Sequence, residues 1–307
     1  MLFLSENAVV DQDSTIAKEL DVMLEDAGIE KGTYDVFDGD EAGALEICLE
    51  METAWHALET QMMGVEHQSI VSESVEILNE GVKEFFKKVG DIFKKMWDSI
   101  SGFFKKLWEN ITSFFSNAEK WWVKNEKEIT AEKAKATVYA KVANGTMLDH
   151  IKSEVAAWSK SSTFKTDKET VEQIEESVKQ FKETSDKAFE TFKAPFEKAE
   201  EVEVTKKAVA DTLVGSNKKL EVIKQLHAAE TQNIKNVIGI AKAGEIASGD
   251  DEVKALKAKV GLAKVYLSYQ KKVQAAAVKF SKKSVSQALT AGKALMRESN
   301  KKEDKKD

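Results

Sequence analysis

Proline occurs once in these 307 residues, at Pro195, and cysteine once, at Cys48. With so few breakers among abundant Lys, Glu and Ala, the chain reads as long uninterrupted helices. A lone cysteine forms no intrachain disulfide, so nothing points to an oxidising compartment, and Cys48 between apolar neighbours reads as buried filler. Arginine is nearly absent too, with Arg297 the only one. That weighs against phosphate or base readout, which favours the bidentate guanidinium, and no specific nucleic-acid readout is expected. Nowhere do about 18 apolar residues run without charge, so no transmembrane helix is expected. Met1 to Asp13 has neither a cationic start nor an adequate apolar run for a secretory signal, so the chain reads as not secreted.

Patterns that carry chemistry are missing as well. The sequence holds no phosphate loop, no dinucleotide fingerprint, no nucleophile elbow and no H-E-x-x-H. Its four histidines, His56, His67, His150 and His227, lie far apart with no second ligand at metal spacing, and His56 and His227 read as ordinary helix residues. The acids Asp35, Asp38, Asp40 and Glu41 invite a calcium reading. Counted from Asp38, however, the fifth ligand position is Ala42 and the twelfth is Leu49, where a chelating Glu is needed. The expectation is therefore a non-enzyme with no catalytic residues, no metal and no cofactor.

What is present is, first, a split of charge. Residues 1 to 80 contain 20 Asp and Glu against Lys18 and Lys31, a net −18, while residues 81 to 307 carry +11. Such an acidic head can pack on the basic body, recruit a basic partner, mask a surface, or simply solvate its own helices.

Second, the stretch from Val82 to Phe115 repeats itself. Asp91 to Ser101 (DIFKKMWDSIS) lies over Gly102 to Thr112 (GFFKKLWENIT) with Phe-Lys-Lys-x-Trp in register, and Ser113 to Val123 continues the period more weakly. Eleven residues make three turns at about 3.67 residues each, which holds one helix face nearly fixed. Projected at about 100° per residue, the apolar side chains fall in one sector roughly 160° wide. They include Phe85, Phe86, Phe93, Met96, Trp97, Phe103, Phe104, Leu107, Trp108, Phe114 and Phe115. Lys88, Lys95 and Lys106 flank one border of the sector and Lys87, Lys94 and Lys105 the other, with Asp91, Asp98 and Glu109 opposite.

Fifteen large apolar side chains at roughly 1.5–3 kcal/mol each represent a few tens of kcal/mol as an upper bound. A face of that size is covered by the rest of the chain, by other copies or partners, or by a bilayer. The bordering lysines suit a lipid surface, since their stems lie on apolar surface while the ammonium groups reach phosphate. These aromatic and lysine positions are the candidate partner- or membrane-binding residues. The sector is too wide for a two-stranded coiled-coil seam.

In chain order, the reading begins with a helix capped by Ser14 and a turn-rich stretch from Lys31 to Gly43. A helix over about 42–63 follows, capped by Asp38 or Asp40. Beyond the repeat, 126–142 reads as helical by composition and breaks at Asn144-Gly145, and 147–160 resumes. Thr166 is the expected cap of a helix with an imperfect heptad stripe through Val171, Ile174, Val178, Phe181, Ser185, Ala188 and Phe192, ended or kinked at Pro195. Helices are expected over 201–213, 218–246 and 251–296, and a disordered charged tail from Arg297. The expected fold class is all-α: an elongated multi-helix protein with one long amphipathic helix and a helical-bundle or coiled-coil-like C-terminal half. Its parts are an acidic helical domain (1–80), the repeat helix (81–125), a helical region ending at Pro195 (126–200), a C-terminal helical region (201–296) and the tail (297–307).

The MLFLSENAV start, the acidic N-terminal part, the FFKKLWENI-type repeat, the Lys/Ala/Glu-rich remainder and the charged tail together resemble virion structural or internal head proteins of large tailed bacteriophages. The resemblance rests on Met1 to Val10 and Lys83 to Phe115. It implies a non-enzymatic component built into or packaged in a particle, localised to the virion or host cytoplasm, with other virion proteins or its own copies as partners. Such proteins can carry an acidic segment removed during assembly, although no cleavage site stands out here. The alternative expectation is a peripheral protein that lays residues 82–122 on an anionic membrane surface.

Overall fold

The computed structural model describes residues 75–161, 170–247 and 249–303. The expected helices near residues 14–28 and 42–63, the Asp38/Asp40 cap, Cys48 and the Thr166 cap lie outside those described residues. So do the side chains of Met96, Phe103, Lys106 and Leu107.

Among the described residues the fold is predominantly all-α. Helix α1 (Val75–Asn125) carries the entire repeat unbroken. Strand β1 (Lys133–Tyr139) follows, then α2 (Ala140–Ala143), α3 (Met147–Ser161) and α4 (Val171–Lys193). After α4 comes a single 3-10 turn, Ala194–Phe196, with Pro195 inside it, as the proline predicted. Strand β2 (Ala199–Thr205) leads through α5 (Lys206–Leu213) and α6 (Ser216–Leu220) to α7 (Val222–Gly244) and α8 (Asp250–Glu303).

Two helix expectations are corrected. Residues 126–142 were expected as helix, yet β1 occupies 133–139. Of the helix expected over 201–213 only 206–213 forms, as α5, because 201–205 belong to β2. The two strands pair antiparallel, Lys133 opposite Thr205 and Tyr139 opposite Ala199. The reason is a period of two hidden under helix-forming composition. Ala134, Ala136 and Val138 point inward while Lys133, Lys135 and Thr137 stay exposed. Strand β2 supplies the β-branched Val202, Val204 and Thr205, and its Glu203 lies opposite Lys135, with Lys133 Nζ 2.7 Å from Glu203 Oε1.

The tail expectation is corrected as far as Glu303. Helix α8 continues past Arg297, because Ser299 is buried there and its Oγ accepts the backbone N–H groups of Thr130 and Ala131, both at 2.9 Å. Tyr139 N–H donates to Gln287 Oε1 at 2.9 Å. Side chains of α8 thus satisfy backbone donors on and just before β1 that no third strand reaches.

The expected break at Asn144-Gly145 is a turn. Gly145 and Gly215 both have φ +70°. A Cβ on Gly145 would also stand 2.9 Å from Asp211 Cβ and 3.1 Å from Ala208 Cα. Thr170 caps α4, its Oγ1 accepting from Gln173 N–H at 3.3 Å.

The core forms two apolar clusters stacked along the long helices. One joins the first half of α1 (Phe86, Phe93, Ile100) to Ile234, Val237 and Ile240 of α7 and Val260, Ala263 and Leu267 of α8. The other joins Ile111, Phe115 and Trp122 to α3, α4, α5, α6, both strands, the start of α7 and Val273 to Leu295 of α8. Strand β2 straddles residue 200, and this second cluster spans the expected divisions at 125 and 200.

Candidate functional site

The eleven-residue period is written into burial. Val89, Ile100, Ile111 and Trp122 lie eleven apart and are all buried, as are Phe93 and Phe115 at either side of Phe104. Helices α7 and α8 cover the face they form. Helix α7 runs antiparallel to α1 in a register that holds from end to end. Phe86 sits against Gly244, and Gly90 approaches Ala241. Lys235 Nζ stands 5.1 Å above the Trp97 ring, and Lys224 Nζ 4.3 Å above Trp108. Between them the Phe104 ring stacks on His227, centroids 3.9 Å apart and 5° from parallel. Farther on, Asn217 Nδ2–H donates to Ser116 Oγ at 2.9 Å, and Gly215 N–H to Glu119 Oε1 at 3.1 Å. Helix α8 runs parallel to α1, with Lys257 Nζ 5.5 Å over Phe85 at one end and Gly292 against Trp121 at the other.

Glycine permits the closest approach. A Cβ on Gly244 would overlap the Phe86 ring, so the absence of a side chain there is what lets Phe86 bury completely.

The candidate residues therefore divide. Phe85, Phe86, Phe93 and Phe115 are buried inside the bundle, and Trp97, Phe104, Trp108 and Phe114 are partly buried and packed on its clusters. Lys87, Lys94, Lys95 and Lys105 are exposed and Lys88 is half-buried. Two of these lysines pair within the helix, Lys88 with Glu84 at 2.9 Å and Lys94 with Asp91 at 3.4 Å.

Between the two apolar clusters lies a polar layer that sequence reading missed. Glu230 of α7 and Lys271 of α8 are both buried, with Lys271 Nζ 2.7 Å from Glu230 Oε1. This contact is close in distance but not aligned as a hydrogen bond at Oε1. His227 Nδ1 is 3.2 Å from Glu230 Oε2. A carboxylate only accepts, so Nδ1 carries the proton and donates. Lys271 also donates to Gln274 Oε1 at 3.2 Å, and Asn233 Nδ2–H to Gln270 Oε1 at 3.2 Å. Burial pushes the Glu230 carboxyl upward, but the Lys271 charge and the hydrogen bond from His227 together outweigh it, and the group is held below its ordinary 4.5.

A signal for this layer existed. Along α7 the apolar stripe runs Ile223, Leu226, Glu230, Asn233, Val237, Ile240, so two polar residues occupy core positions. Gln270, Lys271 and Gln274 interrupt α8's buried stripe at the same level. His227, read as an ordinary helix residue, is the layer's link to the repeat helix.

Chemically the arrangement is a closed one. The carboxylate meets a lysine and a histidine of the same bundle, and the imidazole is covered by Phe104. Such a layer suits registration of antiparallel helices, since sliding either one strands a buried charge. His150, the other described histidine, lies elsewhere, its Nε2 3.2 Å from Phe192 O. Among the described residues no group of three or more His, Cys, Asp or Glu is gathered as for a metal ion. No helix among them is long and apolar enough to cross a membrane.

Compared with known proteins, the chain matches the TMP repeat family model over residues 97–107 and 108–118, two consecutive eleven-residue units inside α1. The matched units have the period found here, set six residues later than the Asp91 and Gly102 starts. No curated protein and no solved structure matches the chain.

Proposed function

We propose that this chain is a non-enzymatic structural protein of a bacteriophage particle, an elongated helical strut that assembles with other virion proteins or its own copies. The observation that carries the reading is the eleven-residue period of α1, which stays in step with α7 and α8 from Phe86 to Trp121. A repeat that holds its register over such a length suits a rigid spacer. The two TMP repeat units within the same helix support it, as does the resemblance of the chain's start and Phe/Lys/Trp repeat to virion proteins. Lipid binding by residues 82–122 is the less favoured alternative, because α1's described apolar rings are packed against α7 and α8 and would have to leave them.

Mass spectrometry of purified particles tests the proposal. The chain is expected in stoichiometric amounts, and its absence from the virion ends this reading. Co-sedimentation of the full chain with anionic vesicles is expected to show no binding. Binding abolished by Trp97→Glu with Trp108→Glu would favour the membrane alternative.

A further inference from the structure

Between Val253 and Arg297, helix α8 contains ten lysines and one arginine but no Asp or Glu. At about 100° per residue, Lys254, Lys264, Lys272, Lys283, Lys293 and Arg297 fall within a sector roughly 100° wide. Lys254, Lys283, Lys293 and Arg297 are exposed, and Lys264 and Lys272 half-buried. Between them the sector holds Ser268, Ser286 and Thr290, all exposed, with Gly261, Val265 and Ala275 half-buried and Lys279 buried. At about 1.5 Å per residue the stripe is roughly 65 Å long. Helix α4 packs on its first half, where Lys272 Nζ stands 4.5 Å over the Phe189 ring and Tyr269 donates to Asp186 Oδ1 at 2.6 Å. Farther along, β1 lies alongside, and Lys283 Nζ stands 5.2 Å over Tyr139.

The same chain holds a matching polyanion. Residues 1–74 contain 18 Asp and Glu against two lysines. They join the bundle at Val75, and because α1 and α8 are parallel they enter at the Lys254 end, where Lys257 lies over Phe85. An extended chain reaches about 3.3 Å per residue, so some 20 of those residues could span the stripe. Tethering raises the local concentration of the segment to the millimolar range.

We infer that the cationic stripe of α8 is the docking surface for the acidic residues 1–74 of the same chain. Docked there, the segment masks the stripe from any other polyanion until it is displaced or removed. This inference is independent of the particle assignment.

Carbodiimide coupling of carboxylates to amines in the full chain, read by mass spectrometry, tests it. Cross-links from Asp and Glu of residues 1–74 should concentrate on Lys254, Lys264, Lys272, Lys283 and Lys293. They should fall about tenfold at about 0.5 M salt, where the screening length is only a few Å. In Lys264→Glu/Lys283→Glu/Lys293→Glu the links to Lys254 and Lys272 should fall similarly. Links spread evenly over lysines of other helices, such as Lys152 and Lys179, would overturn the inference. So would links found only between heavy and light copies in an isotopically mixed sample, which would assign the stripe to a second molecule. Should the triple variant not fold, the map and salt response of the unaltered chain decide.

Discussion

At the scale of single residues, glycines of α1 and α7 carry opposite expectations. Gly244 touches the Phe86 ring, whereas nothing lies within 4 Å of a Cβ on Gly102. Gly244→Leu is therefore expected to lose about 1–3 kcal/mol by overpacking. Gly102→Ala should gain about 0.5–1 kcal/mol through helix propensity. Urea titrations of both variants check the pair, and a gain for Gly244→Leu would contradict the packing described.

The buried ion pair gives a second test at this scale. Glu230→Gln leaves Lys271 buried without its counter-charge and is expected to lose about 3–5 kcal/mol. Combined with Lys271→Met, the loss should largely disappear, which a double-mutant cycle measures as coupling. The pH dependence has a definite sign. Glu230 is held below its unfolded value, so its contribution is present above pH 4.5 and is lost as pH falls through the lower folded value. Acid titration of stability should flatten in the double variant relative to the parent. His227 was legible as a helix residue, but its role was not, since stacking on Phe104 joins positions more than a hundred residues apart.

At the scale of elements, α1 was legible because its pattern is internal to one stretch. An eleven-residue period fixes the buried line Val89, Ile100, Ile111, Trp122 with no help from the partner. Strands β1 and β2 were not, since each is a seven-residue segment of Lys, Ala or Glu that favours helix locally and becomes a strand only by pairing across sixty residues. The end of α8 was missed for a related reason. Its last turns carry no apolar residue, and what holds them is Ser299 reaching the Thr130 and Ala131 amides. Ser299→Ala should orphan both donors and lose about 1–3 kcal/mol. Hydrogen exchange at Thr130 and Ala131 should accelerate markedly, while exchange in the first half of α7 is unchanged.

At the scale of the molecule, α1 and α8 set the length. Helices of 51 and 54 residues run about 75–80 Å at 1.5 Å per residue. A compact globule of this chain length would have a radius of gyration of about 19 Å. Small-angle scattering of the full chain is expected to give a clearly larger value, and a value near 19 Å would mean that the long helices fold back in solution. The two stacked apolar clusters with a polar layer between them make α7 and α8 poor at sliding, since a one-turn shift would part Glu230 from Lys271 and leave both charges buried without each other.

The amino-acid order alone determined the helical class, the single unbroken repeat helix and the width of its apolar face, because periodicity is a property of one segment and propensity acts locally. Only the tertiary structure decided what covers that face, which pair of segments became strands, and that Glu230, Lys271 and His227 meet. Those outcomes depend on contacts between parts of the chain far apart in sequence, and a local pattern carries no information about which distant surface will arrive to complete it.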